Sequence, residues 1–139
     1  RPYAGKLART LRREEKVYFY DWSVLENPGS RLENLIAVHL LRACHYWTDN
    51  GYGLFELHYV RDKEKREVDF LITNKRKPYA LIEAKLSEKE PDRSLGYFQE
   101  RLKPLYTFQV VGEQTPEYLS EPSPGLHVVS ASRFLGSLV

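Results

Sequence analysis

The chain has 139 residues, of which 42% are hydrophobic and 29% charged, with a formal net charge of +2; that length suits one compact domain burying roughly two-thirds of its unfolded surface. Its composition excludes wholesale disorder, and the longest nearly apolar stretch, Leu35 to Leu41, is far shorter than the ~20 residues a bilayer span needs. With no signal-peptide pattern and a single cysteine, Cys44, which has no internal disulfide partner, the chain is expected in a reducing, cytoplasmic setting with no membrane contact.

The chain opens on a basic arm, residues 1–15. Arg1 to Lys16 carries six basic and two acidic residues, a distribution that suits either a polyanion or plain solvation. The start at Arg1 and the lack of methionine fit a piece of a longer chain, with the arm as a linker remnant and residues 16–139 as a single domain. Lys16 to Asp21, "KVYFYD", is aromatic and β-branched enough for a short strand. Glu26 to Ser30, "ENPGS", is a breaker cluster before a helix. From Arg31 to Trp47 apolar residues recur at helical spacing, with Leu32, Leu35, Ile36, Leu40, Ala43 and Trp47 on one face.

Strands are expected at Leu54 to Val60, Glu67 to Thr73 and Tyr79 to Leu86, joined by the charged run Arg61 to Glu67 and the turn Asn74 to Pro78. Ser94 to Lys103 returns to helical spacing, with Leu95, Phe98 and Leu102 together, and Pro104 stops it. Leu105 to Val111 reads as a strand, Gly112 to Gly125 as a Pro-rich loop, and His127 to Ser130 as a last strand before a short helix ending near Leu138. The result is an α/β fold with a mixed sheet: helix, three-strand meander, helix, strand, and short terminal additions.

Charged residues interrupt this pattern where apolar ones are expected. Glu83 and Lys85 share one face of their strand with Leu81. If the turn is centred near Arg76, an antiparallel register pairing Thr73 with Tyr79 sets Asp69 directly across from Glu83. Two opposed carboxylates repel unless something offsets them, and a divalent cation does so, with Lys85 contributing. On the helical wheel Glu33 falls between Leu40 and Cys44, inside the apolar face and away from Arg31, Asn34, Arg42 and His45. A carboxylate buried there needs a partner, since polar burial without one costs several kcal/mol.

Each residue also has a plainer reading. Ser30-x-x-Glu33 fits a capping box, Asp69 an edge-strand charge, and Glu83 with Lys85 a weak surface ion pair. The joint pattern points instead to metal-assisted phosphodiester hydrolysis. Mg²⁺ (or Mn²⁺) binds through one or two carboxylates plus water and phosphate; Asp69 and Glu83 are the expected ligands, with Glu33 near a bound water or a second ion. Lys85 is expected to orient the attacking water or neutralise charge on the phosphorane.

"Glu-Val-Asp-Phe", Glu67 to Phe70, followed by "Ile-Glu-Ala-Lys", Ile82 to Lys85, resembles the PD-(D/E)XK nuclease motif, and "Arg-Leu-Glu-Asn-Leu-Ile-Ala", Arg31 to Ala37, resembles its helix-borne glutamate. "KVYFYD", the Glu33 helix, "HYVRDKEKREVDF", "ALIEAKLS" and a late "RFL" also follow the order seen in a C-terminal domain attached to many prokaryotic AAA+-like ATPases. Leu32 and Ala84 stand where that family mostly has Phe and Val, departures that leave the acids and the lysine intact. The resemblance spans roughly Lys16 to Leu138. It implies a restriction-endonuclease-like core, a deoxyribonuclease of the hydrolase class with DNA as substrate, and an ATPase domain in cis or in trans. The chain has no G-x-x-x-x-G-K-[ST] run and so no P-loop of its own.

Arg61, Lys75, Arg76, Lys89 and Arg93 are candidate phosphate contacts, although turns of this kind are usually only solvated. Gln99 is a candidate supporting residue, against the plainer reading of a solvent-facing glutamine. His39, His45, His58 and His127 show no zinc-ligand spacing, and no nucleophile carries a local signature. Two rivals to the nuclease stand: a noncatalytic DNA- or partner-binding regulator of an ATPase, and a domain whose acids form an internal salt-bridge cluster.

Overall fold

A computed structural model describes residues 27–138; the strand expected at Lys16 to Asp21 and the basic arm lie outside the described residues. The first helix, α1 (Pro28–Asp49), starts three residues earlier than its spacing predicts, because "NPGS" is the helix start itself. Asn27 caps it, its side chain accepting from the Gly29 and Ser30 N–H groups, and Pro28 takes the first helical position, where a missing N–H costs nothing. Ser30 lies inside the helix, which removes the capping-box reading of Glu33.

Three strands follow as an antiparallel meander: β1 (Phe55–Arg61), β2 (Glu67–Asn74) and β3 (Lys77–Lys85). The helix α2 (Arg93–Leu102) then carries the chain to β4 (Tyr106–Val111), parallel to β3. Next come β5 (Leu119–Ser123), β6 (Leu126–Ser130) and α3 (Ala131–Gly136). The sheet is mixed and six-stranded, in the order β1-β2-β3-β4-β6-β5. β5 corrects the loop expected from Gly112 to Gly125. It is a largely exposed edge strand containing Pro122, so it has neither the apolar alternation nor the full set of donors by which a strand is read.

Helices cover both faces of the sheet. On one face Ile36, Ala37, Leu40 and Cys44 of α1 and Phe134 of α3 pack on Phe70, Ile72, Ala80, Ile82 and Val110. On the other face Leu95 and Phe98 of α2 pack on Leu71, Leu81, Val111 and Val128, as their spacing predicts. Asn34 departs from expectation: placed among solvent-facing residues by the wheel, it is buried. Phe98 is fully buried and Leu105 is 73% exposed. Phe98→Ala is expected to cost about 3–5 kcal/mol in urea unfolding, and Leu105→Ala less than about 0.5 kcal/mol; equal losses would contradict this account of the α2 face.

Candidate functional site

Two register shifts in β2 and β3 shape the site. Between the pairs His58↔Leu71 and Val60↔Val68, β1 advances two residues and β2 three, so β2 carries an extra residue at Asp69–Phe70. A bulge of this kind re-aims the side chain beside it. The β2–β3 ladder runs through Ile72↔Ala80, Leu71↔Leu81 and Phe70↔Ile82, and one further step sets Asp69 opposite Glu83. The predicted alignment holds there but fails at the turn: Thr73 pairs with Pro78, not Tyr79. Tyr79 is the extra residue, and its ring joins Trp47, Phe55 and Tyr106 in edge contacts.

At Asp69 and Glu83 side chains take over the strand pairing. The Asp69 N–H donates to Glu83 Oε1 at 3.0 Å, and the Ala84 N–H donates to Asp69 Oδ2 at 2.9 Å. Both residues are buried, at 7% and 8% exposure. Burial, followed by the Asp69 charge, pushes the Glu83 carboxyl up to about 8. Lys85 Nζ lies 3.7 Å from Glu83 Oε2 and 2.9 Å from Asp92 Oδ2. Burial disfavours its charge, but the Asp92 hydrogen bond together with the charges of Asp92, Glu83 and Glu88 outweighs that, and the ammonium is held above its ordinary range.

Of the other predicted residues, Glu33 is half-buried on α1, engaged within the chain, on a helix packed against the opposite sheet face from Glu83. Its neighbour Leu32 lies 3.0 Å from where a Cβ on Gly112 would stand, and Gly112 bonds back to the Lys85 carbonyl. The first turns of α1 thus reach the sheet end where Lys85 sits. Among the described residues, no three His, Cys, Asp or Glu groups converge in a metal-holding cluster. Arg61 faces its cross-strand partner Glu67, Nε to Oε2 3.6 Å.

Lys75 and Arg76 form the β2–β3 turn, both at positive φ. Six residues of strand, ~20 Å, separate Lys75 from Asp69. Lys89 and Arg93 are exposed on the chain leading from Lys85 into α2, with the Lys89 ammonium 5.4 Å from the Tyr118 ring centroid. Gln99 is half-buried and donates to the Pro124 carbonyl at 3.2 Å, tying α2 to the β5–β6 turn.

Three contributors went unread in the sequence. Asp92 caps α2, accepting from the Ser94 and Leu95 N–H groups; "PDRS" carries that signal. Gln109 is fully buried in "YTFQVV", where one amide among apolar residues is the visible sign. Asp62, buried within the charged run Arg61 to Glu67, accepts from the Glu64 and Arg66 N–H groups and from the Arg66 guanidinium. That guanidinium and Arg101 both contact the Tyr97 ring, at 3.8 and 3.4 Å from its centroid, so the β1–β2 turn grips α2.

The raised Glu83 value sets a pH dependence. The folded state keeps a proton that the unfolded chain releases near pH 4.5, so stability falls as pH rises from there to about 8, by at most ~1.4 kcal/mol per pH unit. Glu83→Gln retains the acceptor for Asp69 and removes the charge. Urea unfolding between pH 5 and 8 is expected to show a decline in wild type that this variant lacks; parallel profiles would contradict it.

A family model described as a domain of unknown function, DUF4143, matches residues 28–133. No curated protein matches the sequence. Among solved structures, the refined half-complex from the tetradecameric assembly of Thermococcus gammatolerans McrB AAA+ hexamers with bound McrC is similar over 75% of this chain, at 11% identity and a TM-score of 0.49. The chain spans 27% of the length of that protein. The family match runs from the first residue of α1 into α3 and takes in β2, β3 and every residue of the acid pair and its lysine, so the chain belongs to the DUF4143 family.

Proposed function

We propose that Asp69, Glu83 and Lys85 form a divalent-cation site for hydrolysis of DNA phosphodiesters, on a restriction-endonuclease-like core. One observation carries the reading: two buried carboxylates face each other where the β2–β3 ladder ends, each accepting a backbone N–H of the other's strand. A cation beside two facing carboxylates favours their charged forms, and hard cations such as Mg²⁺ are held by one or two carboxylates plus water and phosphate. The residues therefore fit such an ion with two ligands, Asp69 and Glu83. A cation bound there supplies polarisation of the phosphate and activation of water. The chain's own groups do the rest: the two backbone N–H bonds fix the carboxylates, and Lys85 presents an ammonium 3.7 Å from Glu83 Oε2 where phosphate charge would build.

The order helix, meander, helix, parallel strand supports the core assignment. Lys89 and Arg93, on the chain leading from Lys85, suit phosphate contacts better than Lys75 and Arg76 at the far turn. The same hydrogen bonds favour one rival, in which the acids serve only as a strand clamp.

Titration calorimetry with Mg²⁺ and Mn²⁺, paired with cleavage of single-stranded, duplex and branched DNA, separates the readings. Wild type is expected to bind the ions and cleave at least one substrate; Asp69→Ala and Glu83→Ala lose both. Lys85→Ala is expected to keep ion binding and lose about 10²–10³-fold in cleavage, the scale for one transition-state donor. Ion binding without cleavage would turn the assignment toward a regulator of an AAA+-like ATPase. No ion binding, with Asp69→Ala chiefly impairing folding, would leave the strand clamp.

A further inference from the structure

The segment between β3 and α2 is more than a spacer. Glu83 and Gln109 are register partners across the parallel β3–β4 pair, so their side chains project from the same face, and Asp69, Glu83 and Gln109 form one polar row across three strands. Gln109 is fully buried, a placement that costs free energy unless its amide is bonded. The bonds go to one loop: Nε2 donates to the Glu88 carbonyl at 2.9 Å and to the Glu90 carbonyl at 2.8 Å, and Oε1 accepts the Asp92 N–H at 2.9 Å. Three of the four hydrogen bonds a glutamine amide readily makes are spent on five consecutive residues.

Asp92 passes that placement on. Its Oδ1 accepts from Ser94 and Leu95 at the start of α2, which leaves Oδ2 to take the Lys85 ammonium at 2.9 Å, closer than Glu83 Oε2 at 3.7 Å. Lysine is a compact charge on a flexible stem that loses rotamer freedom when held. Here a carboxylate fixed at both its backbone and its second oxygen does the holding.

We propose that Gln109 and Asp92 are positioning residues for Lys85: Gln109 sets the loop, the loop sets the Asp92 carboxylate, and Asp92 parks the ammonium at the rim of the acid pair before any phosphate arrives. The consequence for catalysis rests on the hydrolase reading above; the mechanical coupling does not. Gln109 touches no substrate, yet its loss releases Lys85.

The test is trace acetylation of the folded protein, read by mass spectrometry as the labelling rate of Lys85 relative to the exposed Lys63 and Lys75, in wild type, Gln109→Leu and Asp92→Asn. Gln109→Leu removes all three loop bonds at similar volume; Asp92→Asn keeps the cap acceptor, removes the charge facing Lys85, and serves should the first variant fail to fold. Wild-type Lys85 is expected to label at least tenfold more slowly than Lys75, and each folded variant to bring it within about threefold of Lys75. Mg²⁺ affinity is expected to stay within threefold of wild type, since Asp69 and Glu83 are untouched, while cleavage falls about tenfold. Lys85 labelling unchanged in a folded variant overturns the proposal, even with a lowered melting temperature, because that result assigns both residues to loop stability alone. A wild type that neither binds Mg²⁺ nor cleaves DNA overturns the hydrolase reading instead, and leaves the labelling comparison standing.

Discussion

The structure turns on the exchange between Asp69 and Glu83, in which each carboxylate accepts a backbone N–H from the opposite strand. Backbone pairing between β2 and β3 reaches Phe70↔Ile82 and is then continued by side chains. Neither acid is free to rotate into water, so their proximity is built into the sheet. The exchange comes at a cost: burial and the facing Asp69 charge keep the Glu83 proton to about pH 8. A site poised this way is stabilised by whatever brings positive charge to it, and the Lys85 ammonium beside Glu83 lies closer to Asp92.

The rest of the fold holds that point from two sides. On one face α1 and α3 bury the apolar residues that alternate with the acids, Phe70 and Ile82 among them. On the other, α2 is anchored at its start by Asp92 and in its middle by Tyr97, whose ring both Arg66 and Arg101 contact. Arg66 is fixed in turn by the buried Asp62 at the β1–β2 turn. The strands that carry the acids, the loop that carries Asp92 and the helix behind it are thus cross-braced, as a preorganised site requires.

Much of this was legible in the sequence. Residues three and four apart gave the buried faces of both long helices, and period-two alternation put Glu83 with Leu81 and against Ile82. The Asp69–Glu83 alignment followed from the position of a turn, although the bulge at Tyr79 shows that the symmetry argument reached it by a register that does not hold at Thr73. What stayed hidden depends on partners distant in the chain. Asn34 is buried where the wheel exposed it, because tertiary contacts override a helix's own amphipathicity. β5 has too little apolar content to announce itself. Gln109 was visible as an anomaly in a strand, but its role needs the loop at Glu88 to Asp92, seventeen to twenty-one residues away. Glu33 was set inside the apolar face by the wheel, and it is half-buried on α1.

The most direct test of the central claim is a crystal structure of the protein soaked in Mn²⁺, with the ion located by its anomalous scattering. The account predicts a peak between Asp69 and Glu83, within about 2.5 Å of an oxygen from each, and the same peak lost in Asp69→Ala. An empty acid pair in a crystal that holds Mn²⁺ elsewhere, with both carboxylates still accepting the facing backbone N–H groups, would contradict it.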